Sequence, residues 1–251
     1  MNEPLSLFTR RQRVLLGTAM LFATVFPTVA AWSYFLALAN SAASSNIWQQ
    51  IAYVGGKIVQ FAFPLVLVLL FGRLPYPRVR GYDFPSWRIG LAFGTIVLAL
   101  MLGLHFGGLR GSRMLAQTPD RLREKLLEVN MASPARYLFL AVFIVVVHSF
   151  LEEYYWRWFV FGYLRYTMKM IPAIVLSSLA FAAHHVIVLY VYLPGKFWSA
   201  AVPLSIAIAI GGSVWAWLYE RGGKLGPPWL SHLLADTGIF VIGWDLMWPM
   251  Y

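Results

Sequence analysis

Four of the five histidines of this chain lie between residues 148 and 232, together with Glu152, Glu153, Arg157 and Asp236. These side chains fall inside long apolar stretches. Charged groups inside a membrane are costly and usually face a bundle interior or a wet cavity. Carboxylates and imidazoles that converge there can activate water or bind a metal ion. We therefore expect the C-terminal half to hold the functional centre and the first three apolar stretches to be its scaffold.

The first cluster is Glu-Glu-Tyr-Tyr-Trp-Arg, at residues 152–157. Successive helical residues are about 100° apart, so Glu153 and Arg157 share a face and are predicted to form an internal ion pair. Glu152 and Arg157 are about 140° apart and do not easily meet. Although His148 lies one turn before Glu152, no local cation neutralises this carboxylate. Glu152 is therefore the carboxylate that suits a general base.

The second cluster is Phe-Ala-Ala-His-His, at residues 181–185. Phe181 and His185 share a helical face, whereas His184 and His185 point about 100° apart, so only one of the two is expected to face a site. Taken alone, this cluster favours the structural interpretation, because a membrane histidine commonly makes an interhelical hydrogen bond.

The third cluster places His232 and Asp236 on one helical face. Asp236 could accept a hydrogen bond from one ring nitrogen and so select the tautomer of His232. The structural alternative is a self-satisfied pair that holds helices together. Each cluster alone favours a structural role, but three spans that all offer such groups near membrane depth favour water activation or metal binding.

The composition of the chain indicates which kind of secondary structure positions these groups. The chain has 251 residues, of which 60% are apolar, 12% are charged and none is cysteine. Its mean hydropathy is +0.66. This composition excludes a disordered chain, a disulfide-stapled domain, a thiol nucleophile, a cysteine zinc site and an iron–sulfur cluster. It predicts an all-α polytopic transmembrane bundle with seven or eight spans.

Seven apolar runs approach the length that a span needs. They cover approximately residues 14–39, 51–71, 89–106, 137–164, 171–193, 197–219 and 228–248. The polar stretch 107–136 contains apolar residues at helical spacing over 121–129, which predicts an amphipathic helix on the membrane surface or the solvated start of a longer helix. We divide the chain into 1–135, the N-terminal spans with the polar connection, and 136–251, the catalytic core.

The net charge of +10 is explained by basic loops between spans and not by a nucleic-acid site. With a cytoplasmic N-terminus, the inner loops collect eleven Lys and Arg residues and the outer loops collect seven. The inner residues include Arg73, Arg78 and Arg80. This excess predicts that the N-terminus is cytoplasmic, although most of the outer charges come from the stretch 107–136.

The three clusters, in this order and on apolar spans, resemble the three motifs of the CPBP family, also called the CAAX protease or Abi family of glutamate-dependent intramembrane proteases. The motifs are Glu152-Glu153-x-x-x-Arg157, Phe181-x-x-x-His185 and His232-x-x-x-Asp236. The resemblance covers approximately residues 140–245. Some members of this family remove the last three residues of prenylated proteins, and prokaryotic members are linked to bacteriocin processing or self-immunity.

The resemblance implies a role for each matching position. Glu152 would activate a water, His185 would help to bind or polarise it, and His232 with the residue four positions later would stabilise the oxyanion. Glu153 and Arg157 would support the site. We add His148 and Phe181 as supporting residues, because each shares a helical face with a site residue.

Asp236 departs from the family pattern, since some members carry Asn at this position. An Asn amide can donate a hydrogen bond to an oxyanion, whereas an ionised Asp repels it. Asp236 is therefore expected to stay protonated in a dry site, to orient His232, or to bind a metal. The oxyanion role of Asp236 is therefore open, and His232 could carry that role alone.

Metal dependence stays open. Glu152, His185, His232 and Asp236 could bind zinc, but the His-Glu-x-x-His signature is absent. The resemblance favours a glutamate-activated water and no obligatory cofactor.

The expected function is an intramembrane endopeptidase that cuts near the C-terminus of a lipidated or hydrophobic-tailed protein. Its partners would be this substrate and the lipid bilayer. It would be an integral multi-pass protein of a plasma or inner membrane if prokaryotic. The alternatives are a non-catalytic immunity or interaction scaffold and a proton or cation transporter, although no inverted repeat supports the transporter.

Overall fold

The computed structural model describes residues 9–39, 47–70 and 85–249. All regular secondary structure in these ranges is helical, which confirms the all-α prediction. The eight helices are α1 (Arg10–Ala37), α2 (Ile47–Leu70), α3 (Ser86–Leu109), α4 (Thr118–Glu128), α5 (Pro134–Thr167), α6 (Met170–Tyr192), α7 (Phe197–Gly222) and α8 (Gly226–Met247).

Within these ranges, six helices are long and apolar enough to cross a membrane, namely α1, α2, α3, α5, α6 and α7. They correspond to the first six predicted runs, so the chain is a multi-pass membrane protein. The basic residues Arg73, Arg78 and Arg80 lie outside the described residues, as does residue 71 at the end of the second run. The cytoplasmic N-terminus therefore stays a prediction.

The seventh predicted run is helix α8, which packs along the whole length of α3. A methyl group on Gly90 would lie 2.6 Å from the Pro227 carbonyl oxygen, and one on Gly94 would lie 2.8 Å from Cα of Ser231. Further along, the His105 ring contacts Asp245 at 2.9 Å. Because these contacts advance in the same direction on both helices, α3 and α8 are parallel and share the same depth. Small residues on α3 permit this close approach.

The C-terminal half of α5 lies at the centre of the bundle. Tyr155, Trp156, Phe159, Phe161 and Tyr163 are fully buried among side chains of α1, α6 and α7. Burial of large aromatic side chains gives a bundle much of its packing energy. The central helix is therefore held on several sides at the level of the first cluster.

The polar stretch 107–136 contains a separate amphipathic helix, α4. Its buried face includes Leu126, and this residue packs with Tyr137 of α5 and Met247 of α8. The helix ends before Asn130, which adopts the left-handed conformation with φ 58°. The alternative that this segment begins the next long helix is therefore wrong.

We expect Gly94→Val to lower the apparent Tm by about 5 °C or more, because the added side chain overlaps the α8 backbone. The unfolding of purified protein in detergent, followed by tryptophan fluorescence, measures this change. Gly103→Val is the matched control, since a methyl group on Gly103 meets nothing within 4 Å. Equal Tm values for the two variants would contradict the close packing of α3 on α8.

Candidate active site

A short α-helical turn of α5 positions the two adjacent carboxylates. Ser149–Glu153 is α-helical, whereas the flanking segments Phe143–His148 and Tyr154–Phe161 are π-helical. π-Helical turns are wider than α-helical turns. They are rare in proteins overall, but those that occur are often found at functional sites. The side chains of Glu152 and Glu153 are 6% and 0% exposed. Two buried carboxylates in one turn need hydrogen-bonding or charged partners.

Glu153 contacts two groups at once. Its Oε2 lies 3.1 Å from Nε of Arg157, which confirms the predicted internal ion pair. Its Oε1 lies 2.8 Å from Nδ1 of His232 on α8, a contact that joins two helices. With Glu153 ionised, Nδ1–H of His232 donates to this carboxylate. Nε2 of the ring is then the nitrogen that faces the rest of the site.

The His232 ring is held by contacts on its edges and its face. Nε2 lies 3.8 Å from Oε2 of Glu152 and 3.6 Å from Oδ1 of Asp236. The Trp215 indole stacks on the ring with centroids 4.2 Å apart, and its Nε1–H donates to Ser231. The hydrogen bond that orients the ring is therefore the one that Nδ1–H of His232 donates to Glu153, and Asp236 does not accept it.

Glu152 lies among cationic and imidazole groups from three helices. Its Oε1 is 3.2 Å from Nε2 of His148, 3.8 Å from Nε2 of His184 and 3.9 Å from Nζ of Lys57. Helical spacing predicts no local cation for Glu152, and it does not predict the contact with Lys57, which belongs to α2. The available signal was a lysine inside an apolar span, which by itself indicates a functional position. Lys57 thus links one of the three spans that were expected to form the scaffold to the first cluster.

The two adjacent histidines of α6 occupy different surroundings. His184 is buried and is the one that approaches Glu152. His185 is less buried, and its Nδ1–H donates to the Phe181 carbonyl oxygen at 3.0 Å. The Phe181 and His185 rings lie 4.8 Å apart, as expected for residues on one helical face. The spacing alone did not identify which histidine approaches the carboxylate.

The structure thus brings together most of the predicted residues. His148 and His232 each approach Glu152, and Asp236 lies beside His232. The Phe181 ring contacts the His232 ring and the Arg157 guanidinium. Across the described ranges, no three His, Asp or Glu side chains are arranged to hold a metal ion. The zinc alternative stays an untested expectation. A buried carboxylate that faces several imidazoles has the composition of a water-activating site.

We expect Glu153→Ala to lower the apparent Tm by about 10 °C, because it leaves the buried Arg157 without its ion pair and His232 without its hydrogen bond. Thermal unfolding of the purified protein measures this. Glu124→Ala is the control, since Glu124 belongs to an exposed ion pair with Arg121. A Tm loss as small as that of the control would contradict the central role of Glu153 in the packing of α5 and α8.

Residues 134–238 match the family model described as Rce1-like, type II CAAX prenyl endopeptidase Rce1-like. The matched segment contains all three motifs and covers α5, α6, α7 and more than half of α8. Comparisons with curated proteins and with solved structures gave no match. Residues 134–238 are therefore similar to the Rce1-like CAAX prenyl endopeptidases, and this similarity is consistent with the resemblance of the three motifs to the CPBP family.

Proposed function

We propose that this protein is an intramembrane endopeptidase in which Glu152 activates a water. The observation that carries the proposal is the convergence of imidazoles from α5, α6 and α8 around this one buried carboxylate. A structural ion pair needs one partner, whereas Glu152 has several groups that can bind or release a proton. This arrangement supports general base catalysis.

The two oxygens of Glu152 face different surroundings. Oε1 faces His148 and His184, whereas Oε2 faces Nε2 of His232 at 3.8 Å. A single water beside these two atoms could form hydrogen bonds to both Oε2 of Glu152 and Nε2 of His232. Glu152 takes a proton from this water, and the water oxygen forms a bond to the scissile carbonyl carbon. When the C–N bond then breaks, the leaving amine takes the proton from Glu152, and no covalent intermediate with the protein forms.

His232 supplies the stabilisation that the oxyanion needs. Its ring is flanked by the carboxylates of Glu153 and Asp236, which stabilise a positive charge on the imidazole. The imidazolium Nε2–H then donates to the oxyanion. Asp236 acts through this charge, so we propose a supporting role for it and no direct contact of an ionised carboxylate with the oxyanion.

His185 keeps the water-binding role that its motif implies, with a specific geometry. Since its Nδ1–H donates to Phe181, the other ring nitrogen carries a lone pair that can accept a hydrogen bond. His184 and His185 contact each other with ring centroids 4.0 Å apart. We propose that His184 contacts Glu152 and His185 contacts the water or the substrate.

The substrate class follows from the family and from the depth of the site. Glu152 lies near the middle of α5, a helix of 34 residues. A peptide bond must therefore reach the membrane interior, which favours a C-terminal segment that is lipidated or hydrophobic. We propose this class of substrate, cleavage near its C-terminus, and a cytoplasmic N-terminus for the protease.

We expect Glu152→Gln to lower the cleavage rate by about 100-fold to 10,000-fold, because the amide cannot accept the proton of the water. The assay uses purified protein in liposomes with a panel of lipidated CaaX-like peptides and peptides with hydrophobic C-terminal tails. Glu124→Gln is the control, since this carboxylate is exposed on α4. Equal cleavage by Glu152→Gln and wild type would contradict the role of Glu152 as base, and a wild type that cuts none of the panel would contradict the substrate class.

Activity that survives a zinc chelator supports the metal-free reaction, whereas a loss that added zinc reverses identifies a zinc enzyme.

We expect Asp236→Asn to retain more activity than Asp236→Leu, because an amide can itself donate to an oxyanion. The leucine variant should lose about 100-fold, since it provides neither a charge beside His232 nor a donor. The ratio kcat/KM on one cleaved peptide measures both changes. Asp120→Asn on exposed α4 is the control. Full activity of Asp236→Leu would show that Asp236 has no part in the reaction.

A further inference from the structure

We propose that Lys57 of α2 is a positioning residue for Glu152, held to it by an ion pair inside the membrane. The catalytic consequence rests on the proposed function, whereas the ion pair itself does not. Lys57 lies outside residues 134–238, the segment that matches the family model. The inference therefore assigns part of the active site to the N-terminal helices.

The surroundings of Lys57 account for a charge in an apolar helix. Its Nζ lies 3.9 Å from Oε1 of Glu152 and 3.4 Å from Oε1 of Gln60, and it lies over the Phe61 ring at 5.5 Å from the centroid. Among the described residues, Lys57 forms its ion pair with Glu152. Burying an unpaired lysine at this depth would cost free energy, and the contact with Glu152 lowers that cost.

Lys57 also supplies an amine beside Glu152, where the other close contacts are imidazoles. Arg157 lies beside Glu153 and forms an ion pair with it. The remaining groups within 4 Å of Glu152 are His148, His184 and His232, which are neutral or charged according to their protonation. Among the described residues, Lys57 is therefore the lysine or arginine that approaches Glu152 within 4 Å.

The contact also determines which carboxylate oxygen meets the water. Lys57, His148 and His184 all approach Oε1, from α2, α5 and α6. Oε2 is left on the side of His232, where the proposed water binds. Loss of Lys57 would leave a buried carboxylate without its ion pair to an amine. The expected result is a base that is misplaced or protonated and inactive.

A stability cycle on the full-length protein tests the ion pair without any substrate. The variants are Lys57→Met, Glu152→Gln and the double variant, each unfolded thermally in detergent. Each single variant leaves the partner charge buried and unpaired, so each should lower the apparent Tm. The double variant removes both charges and should recover most of the loss. Losses that simply add in the double variant would overturn the ion pair.

Cleavage kinetics test the positioning role. We expect Lys57→Met to lower kcat by about 10-fold to 100-fold with a KM within about twofold of wild type, because the reacting geometry changes and substrate binding does not. Lys57→Arg, which keeps the charge, should recover much of kcat. Lys125→Met is the matched control, since Lys125 is also buried beside an acidic residue, Glu128, but belongs to α4. A wild-type kcat for Lys57→Met would overturn the positioning role.

The two measurements separate this inference from the proposed function. If Glu152→Gln cleaves as well as wild type, the proposed function fails, and the stability cycle still decides whether the ion pair exists. If Glu152→Gln is inactive but the Tm losses add, the ion pair is overturned and the proposed function stands.

Discussion

Two adjacent carboxylates are buried in the middle of one membrane helix, and the rest of the bundle is arranged around this constraint. Glu152 and Glu153 lie in a single turn of α5 and therefore point in different directions. Neither can reach water freely, so each needs polar partners within the protein. Glu153 finds Arg157 and His232, and Glu152 finds Lys57 with His148 and His184. These partners come from four helices, which ties the helices together at one depth.

The packing of the apolar helices determines whether these partners can arrive. His232 reaches Glu153 because α8 lies beside α5, and α8 is held along its length by the small residues of α3. The Trp215 indole covers one face of the His232 ring, and Phe181 contacts its edge. Aromatic side chains thus replace water around the polar centre. This exclusion strengthens every electrostatic contact inside it.

The two carboxylates also differ in how their oxygens are engaged. Glu153 is engaged on both oxygens, by Arg157 and by a hydrogen bond from His232. Glu152 is engaged mainly on Oε1, and its Oε2 lies 3.8 Å from Nε2 of His232. This difference in contacts arises from which neighbouring helices each carboxylate meets. The proposed assignment of Glu152 as base depends on this difference.

Local features were accessible from the sequence alone. Composition and the lengths of the apolar runs predicted an all-α membrane bundle. The spacing of Glu153 and Arg157 predicted their ion pair, because residues four apart share a face of one helix. Only the tertiary structure decided the contacts between helices. These are the approach of His184 to Glu152, the hydrogen bond from His232 to Glu153 and the contact of Lys57 with Glu152. Residues 57 and 152 are distant in the chain, and helical periodicity says nothing about which faces of different helices meet. Their contact follows from how α2 packs against α5, a choice made by the shapes of many side chains together.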